Sequence, residues 1–157
     1  MKKHDDALLA TNRKALRDYE VLESLEVGIV LGGTEIKSAR RRSVSLDESF
    51  ARVDGGEVLL YNMHVSPYAQ GGRYNLEPTR QRKLLLHRQE IRRLYGLLSQ
   101  RRLTLIPLRM YLKRGFAKIE LAACKGKHEY EKRQTIQTRE ADRELRRMVR
   151  TRQRHGD

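Results

Sequence analysis

Cysteine is almost absent from this 157-residue chain. The single Cys124 cannot form an internal disulfide, and without a second cysteine no paired-cysteine zinc site exists. Long apolar runs are missing too, since none approaches the roughly 20 residues that span a bilayer. The start MKKHDDALLATNRK lacks a sustained signal-peptide core. These absences predict a protein of a reducing compartment, the cytoplasm, with no membrane partner.

The common catalytic signatures are missing as well. The chain has no HExxH, GxxxxGK[ST] or GxSxG motif. Its five histidines are scattered, with no spacing that places two on one helical face. Nothing in the sequence pattern brings together the carboxylates that acid–base chemistry would need, such as Glu35, Asp47, Glu48 and Asp54. We expect a protein that is not an enzyme and needs no metal or cofactor; a metal-dependent nuclease is the enzymatic alternative.

Positive charge is what the chain has in excess. It carries 34 Lys and Arg against 20 Asp and Glu, which gives a formal net charge of +14. Such an excess points to a polyanionic partner, and RNA, DNA and an anionic membrane surface remain open on charge alone. Because apolar residues make up only 38% of the chain, we expect one small globular body with solvated appendages.

Strand and turn signals dominate the first 124 residues. YEVLESLEVGIVL predicts a strand that enters a core. ESFARVDGGEVLLYNMHV predicts a hairpin, because DGG supplies the residues that a tight turn favours. LTLIPLRMYL and FAKIELAAC predict a second hairpin around the turn KRG. These strands are joined by hairpin signals, which favour an antiparallel sheet.

Two helices interrupt these strands. TEIKSARRR has a buried side and a basic side, and HRQEIRRLYGLLSQ shows helical periodicity. The predicted apolar face of the second helix consists of Ile91, Leu94, Tyr95 and Leu98. The predicted fold class is mainly β with about two or three short helices: an OB-like antiparallel β-barrel followed by a basic C-terminal tail.

Basic segments recur on the predicted loops and polar helix faces. They are NRKALR, KSARRR, RQRK and KGK, and Tyr19, Tyr74 and Tyr130 flank them. An antiparallel barrel with basic loops and nearby aromatic rings suits RNA, because phosphates bind Lys and Arg while bases stack on rings. No helix motif for reading DNA bases is visible.

The composition changes after Cys124. Residues 125–157 hold 11 Lys and Arg against 6 Asp and Glu, a net charge of +5. Leu145, Met148 and Val149 form only a weak helical stripe, so we expect a tail that is disordered when free. Basic residues would surround a forming helix and bind an anionic channel or groove, among them Arg143, Arg146, Arg147 and Arg150. A solvated solubility tail is the alternative. The predicted organisation is 1–11 flexible N-terminus, 12–124 RNA-binding barrel and 125–157 tail.

Three longer segments resemble a known family. NRKALRDYEVLESLEVGIVLGGTEIKSARR, YNMHVSPYAQGGRYNLEPTRQRKLLLHRQEI and LAACKGKHEYEKR are similar to the SsrA-binding protein family, also called small protein B. That family binds transfer-messenger RNA in bacterial trans-translation. The resemblance implies an OB-like barrel that binds the tRNA-like domain of this RNA. It also implies that the protein, together with elongation factor Tu, delivers this RNA to stalled ribosomes.

The resemblance also implies an RNA-binding surface, residue by residue. Asn12, Glu26 and Leu85 match residues of that surface, and the motifs around it contribute Arg13, Lys14, Lys37, Lys125 and Lys127. A carboxylate such as Glu26 is poorly placed for phosphates, but it can accept hydrogen bonds from a base edge or a ribose hydroxyl. Leu85 would pack against a base; ordinary core burial is the alternative, and the sequence pattern alone favours it.

The tail motif of the family aligns with four further residues, Tyr130, Glu131, Lys132 and Arg133. Glu131 stands where the family has Asp, so the carboxylate has a longer reach. The resemblance implies that the tail lies as a helix in the empty messenger channel, beside the decoding centre of the ribosome. The ribosome could then accept a tRNA mimic that has no codon to read. Charge and fold alone leave a ribosomal protein or a generic OB-fold RNA-binding protein as alternatives.

Overall fold

The computed structural model describes the backbone of residues 7–127 and 129–154 and the side chains of residues 7–127 and 137–150. The strands are β1 (Ala7–Thr11), β2 (Tyr19–Ile29), β3 (Val44–Ser45), β4 (Phe50–Asp54), β5 (Glu57–Tyr61), β6 (His64–Val65), β7 (Arg82–Leu85), β8 (Thr104–Lys113) and β9 (Phe116–Gly126). The helices are α1 (Arg13–Asp18), α2 (Gly33–Arg40), α3 (Arg88–Arg101) and α4 (Glu129–Arg154), with a short 3-10 turn at Gly72–Tyr74.

Seven strands form one antiparallel sheet in the order β1-β8-β4-β5-β7-β2-β9, and β9 also pairs with β8. Without β1, each strand pairs with the next in the order β8, β4, β5, β7, β2 and β9, and β9 then pairs with β8. The series of pairings therefore returns to the strand where it began. The narrowest link is the pair of Ala51 on β4 with Leu105 on β8. β3 and β6 form a separate two-stranded sheet. This topology confirms the predicted fold class, a mainly antiparallel, barrel-like β structure with helices.

The core lies on both faces of β9. Ile119, Leu121 and Ala123 alternate along the strand and are buried in the main core, as the alternation predicts. Ala122 and Cys124 point to the other face and belong to a second buried cluster that α1 covers with Ala15. Burial raises the pKa of the Cys124 thiol to about 11, so this cysteine is a packing residue rather than a reactive thiol.

The body begins earlier than the sequence predicted. Residues 1–11 were expected to be flexible, but Ala7–Thr11 pairs with β8, with Ala7 opposite Leu112 and Thr11 opposite Arg109. Leu9 is buried in the main core. A ladder of hydrogen bonds and one buried apolar side chain join residues 7–11 to the body, so the structure places the start of the body before residue 12. Residues 1–6 lie outside the part that the structure describes.

Two local features of the helices differ from the sequence analysis. No separate helix was predicted for NRKALR, and the structure places it at the N-cap and in the first residues of α1. Tyr95 was assigned to the buried face of α3, but it is 62% exposed, while Leu94 is 3% exposed. Ile91 and Leu98 do pack against the core beside Leu94. Tyr95 is one residue beyond Leu94, about 100° further around the helix, and this turns its ring towards solvent.

The division of the chain lies close to the predicted boundary. The chain separates into two compact units, Met1–Gly126 and Lys127–Asp157. The tail was predicted to begin at residue 125, but β9 continues to Gly126 because Lys125 pairs with Glu20 of β2. The second unit contains α4. Disorder of this segment in the free protein stays a prediction.

Candidate nucleic-acid interface

Glu26 and Leu85 lie close together on the outer surface of the sheet. Glu26 is on β2, and Leu85 on β7 pairs with Gly28 two residues further along β2. The Leu85 side chain is 51% exposed, so the structure places it at the surface rather than in the core. Together with Lys118 of β9 these residues line a shallow depression of about 310 Å³. We call Glu26, Gly28, Leu85 and Lys118 the Glu26–Leu85 surface.

Gly28 allows the two strands to approach at this surface. A Cβ atom on residue 28 would lie 3.2 Å from the Leu85 Cβ and 3.3 Å from its Cδ1. Contacts this short would push the leucine side chain away from β2. The glycine therefore keeps Leu85 beside Glu26, so that an apolar side chain and a hydrogen-bond acceptor lie next to each other on one surface.

The electrostatic environment keeps Glu26 ionised. The Tyr111 hydroxyl donates a hydrogen bond to its carboxylate, and the Lys113 Nζ lies 3.3 Å from both carboxylate oxygens. The hydrogen bond from Tyr111, with the nearby charges of Lys113 and Lys118, holds the pKa of Glu26 below its usual value. Burial and the contact with Glu26 raise the pKa of Tyr111, which keeps the hydroxyl a donor.

Asn12 is buried, although the resemblance implied a position on the RNA-binding surface. Its side chain is only 2% exposed. The Nδ2 group donates to the carbonyl oxygens of Leu46 and Pro107 at 3.1 and 3.0 Å, and Oδ1 accepts the Ala15 N–H at 3.1 Å. Because these polar atoms are engaged in the protein, Asn12 caps α1 and positions it; the side chain does not face solvent.

The other predicted RNA contacts lie on several elements. Arg13 and Lys14 are exposed on α1, and Lys14 pairs with Glu48. Lys37 is exposed on α2, while Lys125 is exposed at the end of β9 and Lys127 directly follows that strand. The structure thus brings Glu26 and Leu85 together, while the cations lie on separate elements.

The described basic residues of the tail form one face of α4. Arg143, Arg146, Arg147 and Arg150 follow the spacing of one helical face. Leu145, Met148 and Val149 lie on the opposite face and are 61%, 62% and 54% exposed. The side chains of Tyr130, Glu131, Lys132 and Arg133 lie outside the described residues. Within residues 137–150, α4 therefore has separate cationic and apolar faces.

Arg82 was missed by sequence reasoning. RQRK was taken as an exposed basic segment, but Arg82 is fully buried on β7 beside Glu35 of α2. Its Nε donates to the Glu35 carboxylate at 2.7 Å, and its Nη groups donate to the carbonyl oxygens of Met63 and Pro78 at 2.6 and 3.0 Å. Period-two alternation with the buried Leu84 was the signal that could have indicated an inward side chain.

Glu35 is the acceptor at the centre of this network. It also accepts hydrogen bonds from Arg80 and, at 2.9 Å, from the Gly32 N–H. Burial raises the pKa of the Glu35 carboxyl, but the hydrogen bonds from Arg80, Gly32 and Arg82 outweigh burial and hold the pKa below its usual value. The network ties α2 to the segment that leads into β7.

Similarity to known proteins identifies the family of this chain. The family model described as SmpB protein matches residues 9–151. The chain belongs to the SmpB family. Its relatives include the SsrA-binding protein of Geobacillus kaustophilus (strain HTA426), which is 53% identical over 153 residues, covering 98% of this chain and 99% of the relative. The SsrA-binding protein of Halothermothrix orenii (strain H 168 / OCM 544 / DSM 9562) is 55% identical over 148 residues, covering 94% and 96%.

A solved structure of the SmpB family has a similar fold. It is reported as "tmRNA-SmpB: a journey to the center of the bacterial ribosome", and it is 48% identical to this chain. The TM-score is 0.64, and the match covers 76% of this chain and 84% of the other. Similarity in both sequence and fold confirms the resemblance that the three sequence segments indicated.

The described part of the chain contains no helix with the length and apolar character of a membrane span. In the same part of the chain, no group of three or more His, Cys, Asp or Glu side chains is arranged to bind a metal ion.

Proposed function

We propose that this protein binds the tRNA-like domain of transfer-messenger RNA and brings it to stalled ribosomes during trans-translation. The observation that carries the proposal is the Glu26–Leu85 surface: an ionised carboxylate and an exposed leucine lie side by side on a protein with a net charge of +14. The names of its relatives, SsrA-binding protein, and the tmRNA-SmpB structure support the same RNA.

The chemistry of the surface suits a specific RNA rather than any polyanion. A carboxylate repels phosphates, so Glu26 contributes affinity only where a base edge or a ribose hydroxyl donates to it. Leu85 supplies apolar area for a base, and Lys118 supplies a cation for a neighbouring phosphate. Selectivity then comes from Glu26 and Leu85, while the surrounding Lys and Arg residues contribute affinity that depends on salt.

In this proposal the tail contacts the ribosome. The cationic face of α4 would contact ribosomal RNA in the messenger channel and at the decoding centre. Tyr130, Glu131, Lys132 and Arg133 would contribute at its start. Elongation factor Tu would join through the RNA complex, in the cytoplasm where ribosomes work. The role is one of binding and delivery, without catalysis, metal or cofactor.

Competition binding tests the proposal. The labelled tRNA-like domain is bound to the full-length protein, and unlabelled tRNA-like domain, bulk tRNA and ribosomal RNA fragments of matched length are added as competitors. We expect the tRNA-like domain to compete at least about tenfold better than the other RNAs, which corresponds to about 1.4 kcal/mol. Equal competition by all three would instead favour a ribosomal protein or a generic OB-fold RNA-binding protein.

A further inference from the structure

Two cations of the α2 region lie against one tyrosine ring. The Nζ of Lys37 is 5.4 Å from the centroid of the Tyr68 ring, and the guanidinium carbon of Arg41 is 4.8 Å from it. Nearby, the guanidinium of Arg73 lies 5.2 Å from the ring of Tyr74, which is 69% exposed. We call these five residues the Tyr68 patch. Each ring orients flexible cations at the surface through its quadrupole.

The loop that carries Tyr68 is fixed by hydrogen bonds. Asn75 accepts the Tyr68 N–H and donates to the Tyr68 carbonyl oxygen, both at 2.9 Å. A Cβ on Gly71 would lie 2.6 Å from the Asn75 Oδ1, so this clasp needs a glycine there. The Thr34 hydroxyl of α2 donates to the Tyr74 carbonyl oxygen at 3.3 Å. The patch is therefore built on a fixed loop docked on a helix, which lowers the entropy cost of binding.

The charges of the patch are not neutralised within the described residues. Several other cations of the first unit have a carboxylate within 4 Å, among them Lys14, Arg17, Arg80, Arg82, Lys83, Arg93, Arg109 and Lys113. Within the same described part of the chain, no ion pair joins a carboxylate to Lys37, Arg41 or Arg73. Two cations on one ring repel each other, and a bound phosphate relieves that repulsion.

The chain connects the patch to the Glu26–Leu85 surface through β2 and β7. β2 and β7 pair at Gly28 with Leu85 and at Ile29 with Leu84, and the Val30 N–H then donates to the Lys83 carbonyl oxygen at 3.0 Å. α2 follows β2 directly, and the Tyr68 loop leads into β7. Gly33, where α2 begins, is seven residues beyond Glu26, and a fully extended chain of that length spans at most about 25 Å, a length that a few nucleotides cover.

We propose that the Tyr68 patch binds the phosphodiester backbone of the same RNA that contacts Glu26 and Leu85. Lys37 and Arg41 bind a phosphate, Tyr68 fixes their positions, and the exposed Tyr74 ring stacks on a base beside Arg73. The partner is an RNA with closely spaced phosphates, the tRNA-like domain, and the inference rests on the proposed function.

The test measures RNA binding as a function of salt. The variant Lys37→Gln/Arg41→Gln removes both cations from the ring. The matched control Arg52→Gln/Arg101→Gln also removes two exposed cations, one of them stacked on Phe50 and neither on α2 or the loop. We expect the patch variant to bind the tRNA-like domain about tenfold more weakly, with a log–log salt slope lower by about 0.7 to 0.9 for each lost phosphate contact. The control should stay within about twofold of wild type.

Variants of the ring separate positioning from charge. Tyr68→Phe keeps the aromatic ring, whereas Tyr68→Leu keeps apolar volume but loses the quadrupole, so the Leu variant should bind about three- to fivefold more weakly than the Phe variant at the same net charge. A patch variant that binds like its control, or equal binding by the Phe and Leu variants, overturns the inference. Binding that weakens only for ribosomal RNA fragments would also overturn it.

Failure of the proposed function can be distinguished from failure of the patch inference. If wild-type protein does not prefer the tRNA-like domain to bulk tRNA, the proposed function fails, whatever the patch variants do. If wild type shows that preference and the patch variants keep full affinity, only the patch inference fails.

Discussion

Arg82 is a buried cation whose loss should be costly. It is fully buried and hydrogen-bonded to Glu35, itself 4% exposed. Arg82→Met should lower the free energy of unfolding by about 3 kcal/mol, because it leaves Glu35 buried with Arg80 as its remaining cation. Urea denaturation measures the change. Lys83→Met, which breaks the exposed pair with Glu57, is the control and should cost less than about 1 kcal/mol. Equal losses would contradict the role of the network.

Glu35 also makes stability depend on pH. Its pKa in the folded protein lies below the ordinary value of 4.5. Its contribution is therefore fully present above about pH 4.5 and is lost as pH falls through the folded pKa. Glu35→Gln should lower stability at neutral pH and reduce the further loss on acidification, measured by urea denaturation between about pH 7 and about pH 3.5. An unchanged acid dependence in this variant would contradict the assignment.

Glu26 should govern selectivity rather than salt-dependent affinity. Glu26→Gln keeps the side-chain shape but removes the charged acceptor, so preference for the tRNA-like domain over bulk tRNA should fall about fivefold, or about 1 kcal/mol. The salt slope should hardly change, because no phosphate contact is lost. Competition binding at several salt concentrations measures both quantities. Asp54→Asn, an exposed charge change at the end of β4, is the control; an equal loss of preference in this variant would contradict a specific role for Glu26.

Single residues show where sequence reasoning stops. Glu26 and Leu85 were identified through the family resemblance, and the structure brings them together. Lys118 joins them only because β9 pairs with β2, at Gly28 opposite Lys118. Asn12 was expected at the RNA surface, yet its partners Leu46 and Pro107 lie 34 and 95 residues away in sequence. Long-range pairing of this kind cannot be deduced from local pattern.

Among the elements, the strands were easier to predict than the shortest helix. Both hairpins follow from alternation and from turn residues at positive φ, such as Gly55 and Gly56 at 57° and 79° and Gly115 at 80°. The six-residue helix α1 is too short for its own sequence to specify. It forms because Asn12 caps it and Ala15 packs into a cluster with Ile106 and Leu108. Tertiary packing decided that element.

α4 is the element whose stability should differ most from the rest. All described side chains of residues 137–150 are exposed, and an isolated helix without packing is marginal in water. We expect its backbone amides in the free protein to exchange at least about a hundredfold faster than those of Leu121–Ala123 in β9. Hydrogen exchange followed by NMR or mass spectrometry measures the ratio. Protection of α4 equal to that of β9 would show that the tail is ordered before docking.

At the scale of the whole molecule, the chain divides into two units, and both carry an excess of positive charge. The second unit begins at Lys127, and we propose that RNA recognition uses the chain up to that residue and ribosome contact the chain beyond it. Composition predicted the basic tail, and alternation predicted the antiparallel body. Composition could not predict which partner each unit binds, because a positive charge attracts every polyanion.

The most direct test is truncation after Lys127, which keeps β9, Lys125 and Lys127 and removes α4. The account predicts that the truncated protein binds the tRNA-like domain within about twofold of wild type, while tagging of peptides on stalled ribosomes is lost, because binding and delivery use different units. Full-length protein with Arg143, Arg146, Arg147 and Arg150 changed to Gln should likewise keep RNA binding and lose most tagging. Tagging that survives truncation, or RNA binding that is lost together with it, would contradict the account.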